Sequence, residues 1–136
     1  MREPVLVSAC LLGLATRYDG KRITEPVVEI LKERYLLIPV CPEQLGGLAT
    51  PRPAAEILDG DGFSVLAGKA RVLTHEGREV TRNFLRGAEE VLKICRMLRI
   101  RRAFLKAKSP SCGLTPRVGV TAALLLSEGV EILELG

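Results

Sequence analysis

The stretch PVLVSAC, residues 4–10, is an apolar run of strand length that ends at a cysteine. A second run of this kind, LLIPVC at 36–41, also ends at a cysteine. Between them lies a helical pattern whose apolar face consists of Val27, Ile30, Leu31 and Tyr35. Two strands joined by one crossover helix predict a parallel pair with a right-handed connection.

The rest of the chain continues this alternation of strands and helices. A small β-hairpin is predicted in the middle, with strands at 63–68 and 70–74 around a Gly-Lys turn. The later elements are a long helix from Thr81, a strand at 102–106, a helix at 121–127 and a strand at 130–135. This order predicts a three-layer α/β fold with a mostly parallel sheet, Rossmann-like crossovers and a small inserted β-hairpin. For a chain of 136 residues we expect a single domain spanning 1–136.

Composition narrows the choice of partners. The net charge is +4, from 14 arginines and 6 lysines against 16 acidic residues, and only 4% of the residues are aromatic. Because the basic residues are scattered and few rings are available to stack on bases, nucleic acid is not expected as a partner. No stretch reaches the ~18 consecutive apolar residues of a membrane helix, and the amino terminus lacks a signal-peptide layout. We therefore expect a cytoplasmic protein with no membrane partner, and no pattern indicates its oligomeric state.

Three of the four cysteines stand where an apolar run gives way to a Gly/Pro-rich turn, namely Cys10, Cys41 and Cys112. Ligand sites in an open α/β sheet form just outside the carboxyl ends of the strands, so the three thiols are predicted to converge. Cys95 lies instead on the apolar stripe of the long helix, where a free cysteine packs as a small hydrophobe. In a reducing cytosol, cysteines bind metal or act in catalysis more often than they form disulfides.

Spacing excludes several kinds of cysteine chemistry. The chain has no Cys-x-x-Cys pair, and neither Cys10 nor Cys112 has an arginine at the spacing of a phosphatase loop. With His75 as its single histidine, the chain lacks partners for most Cys–His nucleophiles and mixed zinc sites. All-sulfur ligation favours zinc or an iron–sulfur cluster, and three dispersed thiols leave one coordination position open for a substrate atom. This arrangement indicates a catalytic rather than a structural metal site.

The residues around the three cysteines resemble one family over nearly the whole chain. The motifs are SACLLG at 8–13, CPEQLGGL at 41–48, PRPAAE at 51–56, KAKSPSCG at 106–113 and GVTAALL at 119–125. They resemble the thiouracil desulfidase family, catalogued as domain of unknown function 523. The resemblance implies a [4Fe-4S] enzyme, sensitive to oxygen, that removes sulfur from a thiolated pyrimidine such as 2-thiouracil or a related small thioamide. It also implies that Cys10, Cys41 and Cys112 hold the cluster, which preparation in air can remove, and that the remaining iron takes up the substrate sulfur.

The same resemblance gives polar catalytic roles to Glu43 and Ser109, with Asp19 as a further catalytic candidate. General chemistry agrees with these roles. Water that attacks a thiocarbonyl carbon needs a base, and Glu43 lies two residues from a predicted ligand. Ser109, three residues before Cys112, is placed to orient the pyrimidine ring.

Four basic residues are expected near the same face of the sheet, namely Arg17, Arg52, Lys108 and Arg117. A cluster with three thiolate ligands is negatively charged, so nearby cations would stabilise it and tune its potential. The alternative is that these side chains lie in solvent or pair with Asp19 and Glu56.

One segment departs from the family pattern. Family members carry a longer segment between SPSCG and GVTAALL, whereas residues 114–118 alone bridge the two motifs here. Because this segment follows the third predicted ligand, we expect it to form part of the substrate lid. Its shortening is expected to reshape the pocket and to leave cluster binding intact.

Two alternatives to a desulfidase stay open from the sequence. In the first, a non-catalytic protein holds zinc or a cluster on the three thiols for storage or sensing, and Glu43→Ala changes no function. In the second, a small-molecule α/β binding domain has cysteines that are only structural. That alternative predicts that Cys41→Ser and Cys112→Ser fold and behave like the parent.

Overall fold

The structure is a computed structural model that describes residues 1–136. Its strands are β1 (Glu3–Ser8), β2 (Tyr35–Val40), β3 (Ala55–Leu58), β4 (Arg71–Thr74), β5 (Arg102–Lys106) and β6 (Glu131–Leu135). Its α-helices are α1 (Val27–Arg34), α2 (Pro42–Leu45), α3 (Gly62–Leu66), α4 (Thr81–Leu98) and α5 (Val120–Ser127), and a 3₁₀ helix spans Ala9–Leu12. Four parallel strands form the main sheet in the order β2-β1-β5-β6, and β3 and β4 form a separate antiparallel pair.

The central strand β1 shows why the sheet has helices on both faces. It pairs in parallel with β2 from Glu3–Tyr35 to Ser8–Val40, as predicted. Successive side chains of a strand point to opposite faces, and here both sets are apolar. Val5 and Val7 pack into one cluster with residues of α1, and Leu6 packs into another with residues of α4 and α5. These layers confirm the predicted three-layer α/β class.

The predicted hairpin strand at 63–68 is wrong, because Gly62–Leu66 forms the short helix α3. Asp61 caps this helix: its carboxylate accepts the backbone N–H of Ser64 at 3.0 Å, and the Ser64 hydroxyl accepts the N–H of Asp61 at 3.4 Å. Val65 is 1% exposed whereas Phe63 is 42% exposed. These two apolar residues of the predicted strand therefore lie on different sides of a helix. The strand that pairs with β4 is β3, which lies before α3 in the chain. A short apolar run does not distinguish strand from helix by periodicity alone.

Close contact between α2 and α4 fixes the segment that follows β2. A Cβ atom on Gly87 of α4 would lie 2.0 Å from the carbonyl oxygen of Pro42, and one on Gly46 would lie 2.0 Å from that of Asn83. The Asn83 amide also donates to the carbonyl of Gly46 at 2.8 Å. The two helices therefore approach until backbone touches backbone, and α2 has little freedom to shift.

We expect Gly87→Ala to lower the free energy of unfolding by about 2 kcal/mol, because the new methyl group overlaps the Pro42 carbonyl. Alanine at an exposed helix position would instead stabilise the helix by about 1 kcal/mol relative to glycine. Urea unfolding followed by circular dichroism measures the change. The exposed Arg86→Ala, one residue earlier in α4, is the control and should stay within about 0.5 kcal/mol of the parent. A Gly87→Ala protein as stable as the parent would contradict the close contact.

The two halves of the main sheet are also joined at their carboxyl ends. The backbone N–H of Lys106, at the end of β5, donates to the hydroxyl of Ser8, at the end of β1, at 2.9 Å. These residues are 98 positions apart in the chain.

No helix of the protein combines the length and apolar character needed to cross a bilayer.

Candidate functional site

A pocket of about 370 Å³ opens at the carboxyl ends of β1, β2 and β5. Cys10, Cys41 and Cys112 all line it. Three chain segments that are distant in sequence thus bring three thiols to one cavity. This is the edge of the sheet at which ligand sites form in open α/β folds.

Each thiol is delivered by a different local structure. Cys10 lies in the 3₁₀ helix directly after β1, and this turn ends at Gly13, whose φ of 83° favours glycine. Cys41 is the extended residue between β2 and α2, where Pro42 occupies the first helical position. Cys112 lies beyond the end of β5 and is 4% exposed. Cys95 packs in the core under α4, and its burial raises the pKa of that thiol to about 11.

The thiols of the pocket are partly removed from water and interact with one another. Burial raises the pKa of Cys112 to about 12, although hydrogen bonds with Ser8 and Ser111 act in the opposite direction. The negative charge that Cys10 and Glu43 can carry raises the pKa of Cys112 further. Burial and the neighbouring acidic groups therefore favour the protonated form of the Cys112 thiol.

At Cys10, basic side chains partly offset the rise in thiol pKa that burial causes. Burial raises the pKa of Cys10, while the positive charge of Lys106 lowers it and the charge of Cys41 raises it. Arg17 also lowers the pKa of Cys10, by a smaller amount. The cations of the pocket thus favour the ionised form of Cys10.

The donor set of the pocket consists of three cysteine thiols. No three His, Cys, Asp or Glu side chains are arranged to hold one metal ion. The three pocket thiols share one cavity, and cysteine thiolates are the ligands that would hold an iron–sulfur cluster there. All-sulfur ligands and a cationic wall both suit such a group.

Glu43 is held by a donor on each side of its carboxylate. Oε1 accepts from Arg52 Nε at 3.0 Å, and Oε2 accepts from the hydroxyl of Ser111 at 3.0 Å. The side chains of Arg52 and Glu43 are only 7% and 13% exposed. The sequence predicts no role for Ser111, because its contact with Glu43 spans 68 positions.

Ser109 shapes the turn that carries the third cysteine. Its hydroxyl oxygen accepts the backbone N–H of Ser111 at 3.2 Å and of Cys112 at 3.1 Å. It also lies 3.0 Å from the hydroxyl of Ser111 and lines the pocket. The structure therefore places Ser109 beside Cys112, and Ser111 lies between Ser109 and Glu43.

Asp19 does not line this pocket. Its carboxylate accepts the backbone N–H of Lys21 at 2.9 Å, and this hydrogen bond is the main cause that lowers its pKa. Arg17, which does line the pocket, pairs with Asp19 at 3.4 Å. Asp19 thus contacts the lining of the pocket through Arg17, and it borders a neighbouring cavity that Arg52 also lines.

The other basic residues divide between two cavities. Arg17, Arg52 and Lys108 line the main pocket, while Arg117 lines an adjoining groove of about 320 Å³. Lys108 borders both cavities. The guanidinium of Arg117 donates to the carbonyl of Ile57 at 2.9 Å.

The short segment 114–118 borders the same groove and is fixed by Glu134 of β6. The Glu134 carboxylate accepts the N–H groups of Leu114 and Thr115 and the hydroxyl of Thr115, the last at 2.7 Å. Partial burial acts to raise the pKa of Glu134, but these hydrogen bonds and the charge of Lys106 lower it below its ordinary 4.5. The segment after Cys112 is therefore tied to the last strand of the sheet.

We expect Glu134→Gln to lower the free energy of unfolding by about 1 kcal/mol at neutral pH, because the charged acceptor is lost. A carboxylate with a lowered pKa contributes stability above its unfolded pKa and loses that contribution as the pH falls through its folded pKa. The difference between the parent and the variant should therefore be full above about pH 4.5 and shrink on further acidification. Thermal unfolding of both proteins at several values between about pH 3 and pH 7 measures this difference in stability. A difference that does not depend on pH would contradict the assigned role.

Comparisons with known proteins agree with this geometry. The model of the 2-thiouracil desulfurase family matches residues 5–134. The uncharacterised protein YbbK of Bacillus subtilis (strain 168) is 36% identical in an alignment 141 positions long, which covers 95% of this chain and 93% of YbbK. The solved structure of a [4Fe-4S]-dependent thiouracil desulfidase, TudS, superposes with a TM-score of 0.80 at 38% identity. That match covers 98% of this chain and 91% of the TudS chain.

Proposed function

Because this chain belongs to the 2-thiouracil desulfurase family and is an enzyme that cleaves C–S bonds, we propose that it takes sulfur from a thiolated pyrimidine such as 2-thiouracil. We further propose that it does so with a [4Fe-4S] cluster held by Cys10, Cys41 and Cys112. The single observation that carries the proposal is the convergence of these three thiols, from three separate segments, on one pocket. The similarity to TudS supports the choice of cluster.

The cluster and the protein divide the chemistry between them. Cys10, Cys41 and Cys112 would hold the cluster, which would supply a soft Lewis acid that polarises the thiocarbonyl of the substrate. In the balanced reaction, water supplies the oxygen of the new carbonyl, the C–S bond breaks and sulfur leaves as sulfide. No oxidant or reductant is consumed.

Glu43 is the proposed base for the attacking water. Its carboxylate lines the pocket with Cys41 and Cys112, and its two hydrogen bonds aim it in one direction. A carboxylate held this way accepts the proton from water as the oxygen adds to carbon. Ser109, which borders the same cavity, is proposed to orient the ring of the substrate. Asp19 would act indirectly, through the position of Arg17.

The charges around the pocket suit the proposed anionic species. Arg17, Lys106 and Lys108 line the cavity together with the ion pair of Arg52 and Glu43. Cations near a negatively charged cluster stabilise it, and they also attract the sulfide that leaves.

Anaerobic reconstitution with iron and sulfide tests the proposal. We expect about four iron atoms per chain, a brown colour with absorption near ~400 nm, and conversion of 2-thiouracil to uracil with release of sulfide. A protein that binds no iron under these conditions would refute it. A protein that binds a cluster but desulfurates no thiolated pyrimidine would favour the alternative of a non-catalytic cluster protein.

A further inference from the structure

We infer that Arg52 and Ser111 are positioning residues that hold Glu43 in its working orientation, and that Arg52 also interacts with the cluster through Cys41. The inference rests on the proposed function, since it concerns the same pocket and the same base. Neither residue is expected to touch the substrate. Both act through groups that are expected to do so.

The guanidinium of Arg52 uses all three of its nitrogen atoms. Nε donates to Glu43 at 3.0 Å, and Nη1 donates to the hydroxyl of Thr50 at 2.7 Å and to the carbonyl of Ala49 at 3.1 Å. Nη2 donates to the carbonyl of Thr16 at 3.0 Å and lies 4.0 Å from Cys41 Sγ. A buried planar fork with this many acceptors has one orientation, and a lysine cannot reproduce it.

Ser111 supplies the second support. Its hydroxyl donates to Glu43 Oε2 at 3.0 Å, and the residue is 2% exposed. When the single hydrogen of this hydroxyl is donated to Glu43, the contact with Ser109 at 3.0 Å is donated by Ser109. Each oxygen of Glu43 therefore has its own donor, and rotation of the carboxylate would break both bonds. Each oxygen also keeps a lone pair that is free to accept from water.

The network joins two of the three proposed ligand segments. Arg52 reaches Cys41, whose thiol donates to the carbonyl of Thr16 at 3.7 Å, and Ser111 lies 3.9 Å from Cys112 Sγ. Glu43 lies between these two ends. A displacement of either support would therefore move the base relative to the metal-binding side of the pocket, where errors near 1 Å cost about 100-fold in rate.

Arg17 differs from Arg52 in an informative way. It lines the same pocket and carries the same charge, but it pairs with Asp19 rather than with Glu43. Comparing variants of Arg17 and Arg52 therefore separates the effect of a positive charge in the pocket from the effect of the hydrogen bond that Arg52 donates to Glu43.

The main test is a double-mutant cycle on turnover of 2-thiouracil by the cluster-loaded enzyme. We expect Arg52→Lys to lower kcat about 100-fold and Ser111→Ala to lower it about 10-fold, with KM changed much less. In a Glu43→Gln background, either change should alter kcat no more than about 2-fold, because residues that act through one group are not additive. Arg17→Gln should remain additive with Glu43→Gln. Additive losses for Arg52→Lys and Glu43→Gln would overturn the inference.

A rescue experiment separates positioning from simple loss of folding. Arg52→Ala opens space for a guanidinium ion beside Glu43, so millimolar guanidinium should restore a measurable part of kcat. The same concentration of sodium chloride should not. If Arg52→Ala retains its cluster and full turnover without added guanidinium, Arg52 has no positioning role.

Two readouts do not depend on turnover. The reduction midpoint of the cluster should become more negative in Arg52→Gln and stay unchanged in Arg71→Gln, a substitution of an exposed arginine outside the pocket.

Crystal structures of Arg52→Lys and Ser111→Ala should show the Glu43 carboxylate rotated or in two conformers. If the loaded parent does not desulfurate but these changes occur, the proposed reaction fails and the positioning role stands. An unmoved carboxylate in both variants would refute the role whatever the parent does.

Discussion

Cys41→Ser and Cys112→Ser should each give a folded protein that holds no [4Fe-4S] cluster and has no measurable desulfidase activity. Serine is close in size to cysteine, but its hydroxyl is a poor ligand for iron, and two thiols do not replace three. Placing a hydroxyl at the buried position of Cys112 costs about 1–3 kcal/mol, reduced here by the nearby hydroxyls of Ser8 and Ser111. Iron and acid-labile sulfide analysis after anaerobic reconstitution, together with the melting temperature, measures the effect.

Cys95→Ser is the matched control for this prediction. Cys95 is 3% exposed and Cys112 is 4% exposed, so the cost of burying a hydroxyl is comparable. Cys95 packs under α4 and does not line the pocket. We expect this variant to lose stability and to keep its cluster. A cluster retained in Cys112→Ser, or lost in a folded Cys95→Ser, would contradict the assignment of ligands.

Glu43→Gln should lower kcat by about 10²–10⁴-fold while the iron content stays at the level of the parent. Glutamine has nearly the same shape and can still accept from Arg52, but it cannot take a proton from water. Steady-state turnover of 2-thiouracil, normalised to bound iron, measures the loss.

Glu79→Gln serves as the control for this charge change. Glu79 is half exposed, pairs with Arg71 at 3.8 Å and lies outside the pocket, so its turnover should match that of the parent. Full turnover in Glu43→Gln would mean that another group acts as base. If the parent also shows no turnover, the family chemistry is not carried out on this substrate.

The sequence predicted the main sheet well because its signals are strong and local. The run at 4–10 and the run at 36–41 are apolar on both faces, which is typical of buried parallel strands. The middle of the chain was harder, because α3 is only five residues long and Phe63 and Val65 fit either period. The capping pair Asp61 and Ser64 distinguishes a helix from a strand here, and it acts through hydrogen bonds rather than through hydrophobic periodicity.

The candidate site was predictable to the extent that it depends on topology. Strand ends bring Cys10, Cys41 and Cys112 to one edge of the sheet, so their sharing of a pocket follows from the α/β alternation. The pairing of Arg52 with Glu43, rather than with Glu56, depends on how the segment after α2 folds back. Ser111 was missed for the same reason, since its contact with Glu43 spans 68 positions. Such contacts carry no local pattern.

The hydrogen bond between Lys106 and Ser8 has a consequence for how the protein folds during synthesis. Two of the proposed ligands lie within the first 41 residues, but the third comes after β5, which must first dock on β1. On the ribosome, the nascent chain can form the β1–α1–β2 unit early, but a three-thiolate site exists only after long-range closure. If the proposed cluster is bound, its iron would therefore be delivered after the domain has nearly finished folding. A ligand that binds only this closed state adds to its stability by mass action, so the loaded protein should have a larger free energy of unfolding than the chain alone.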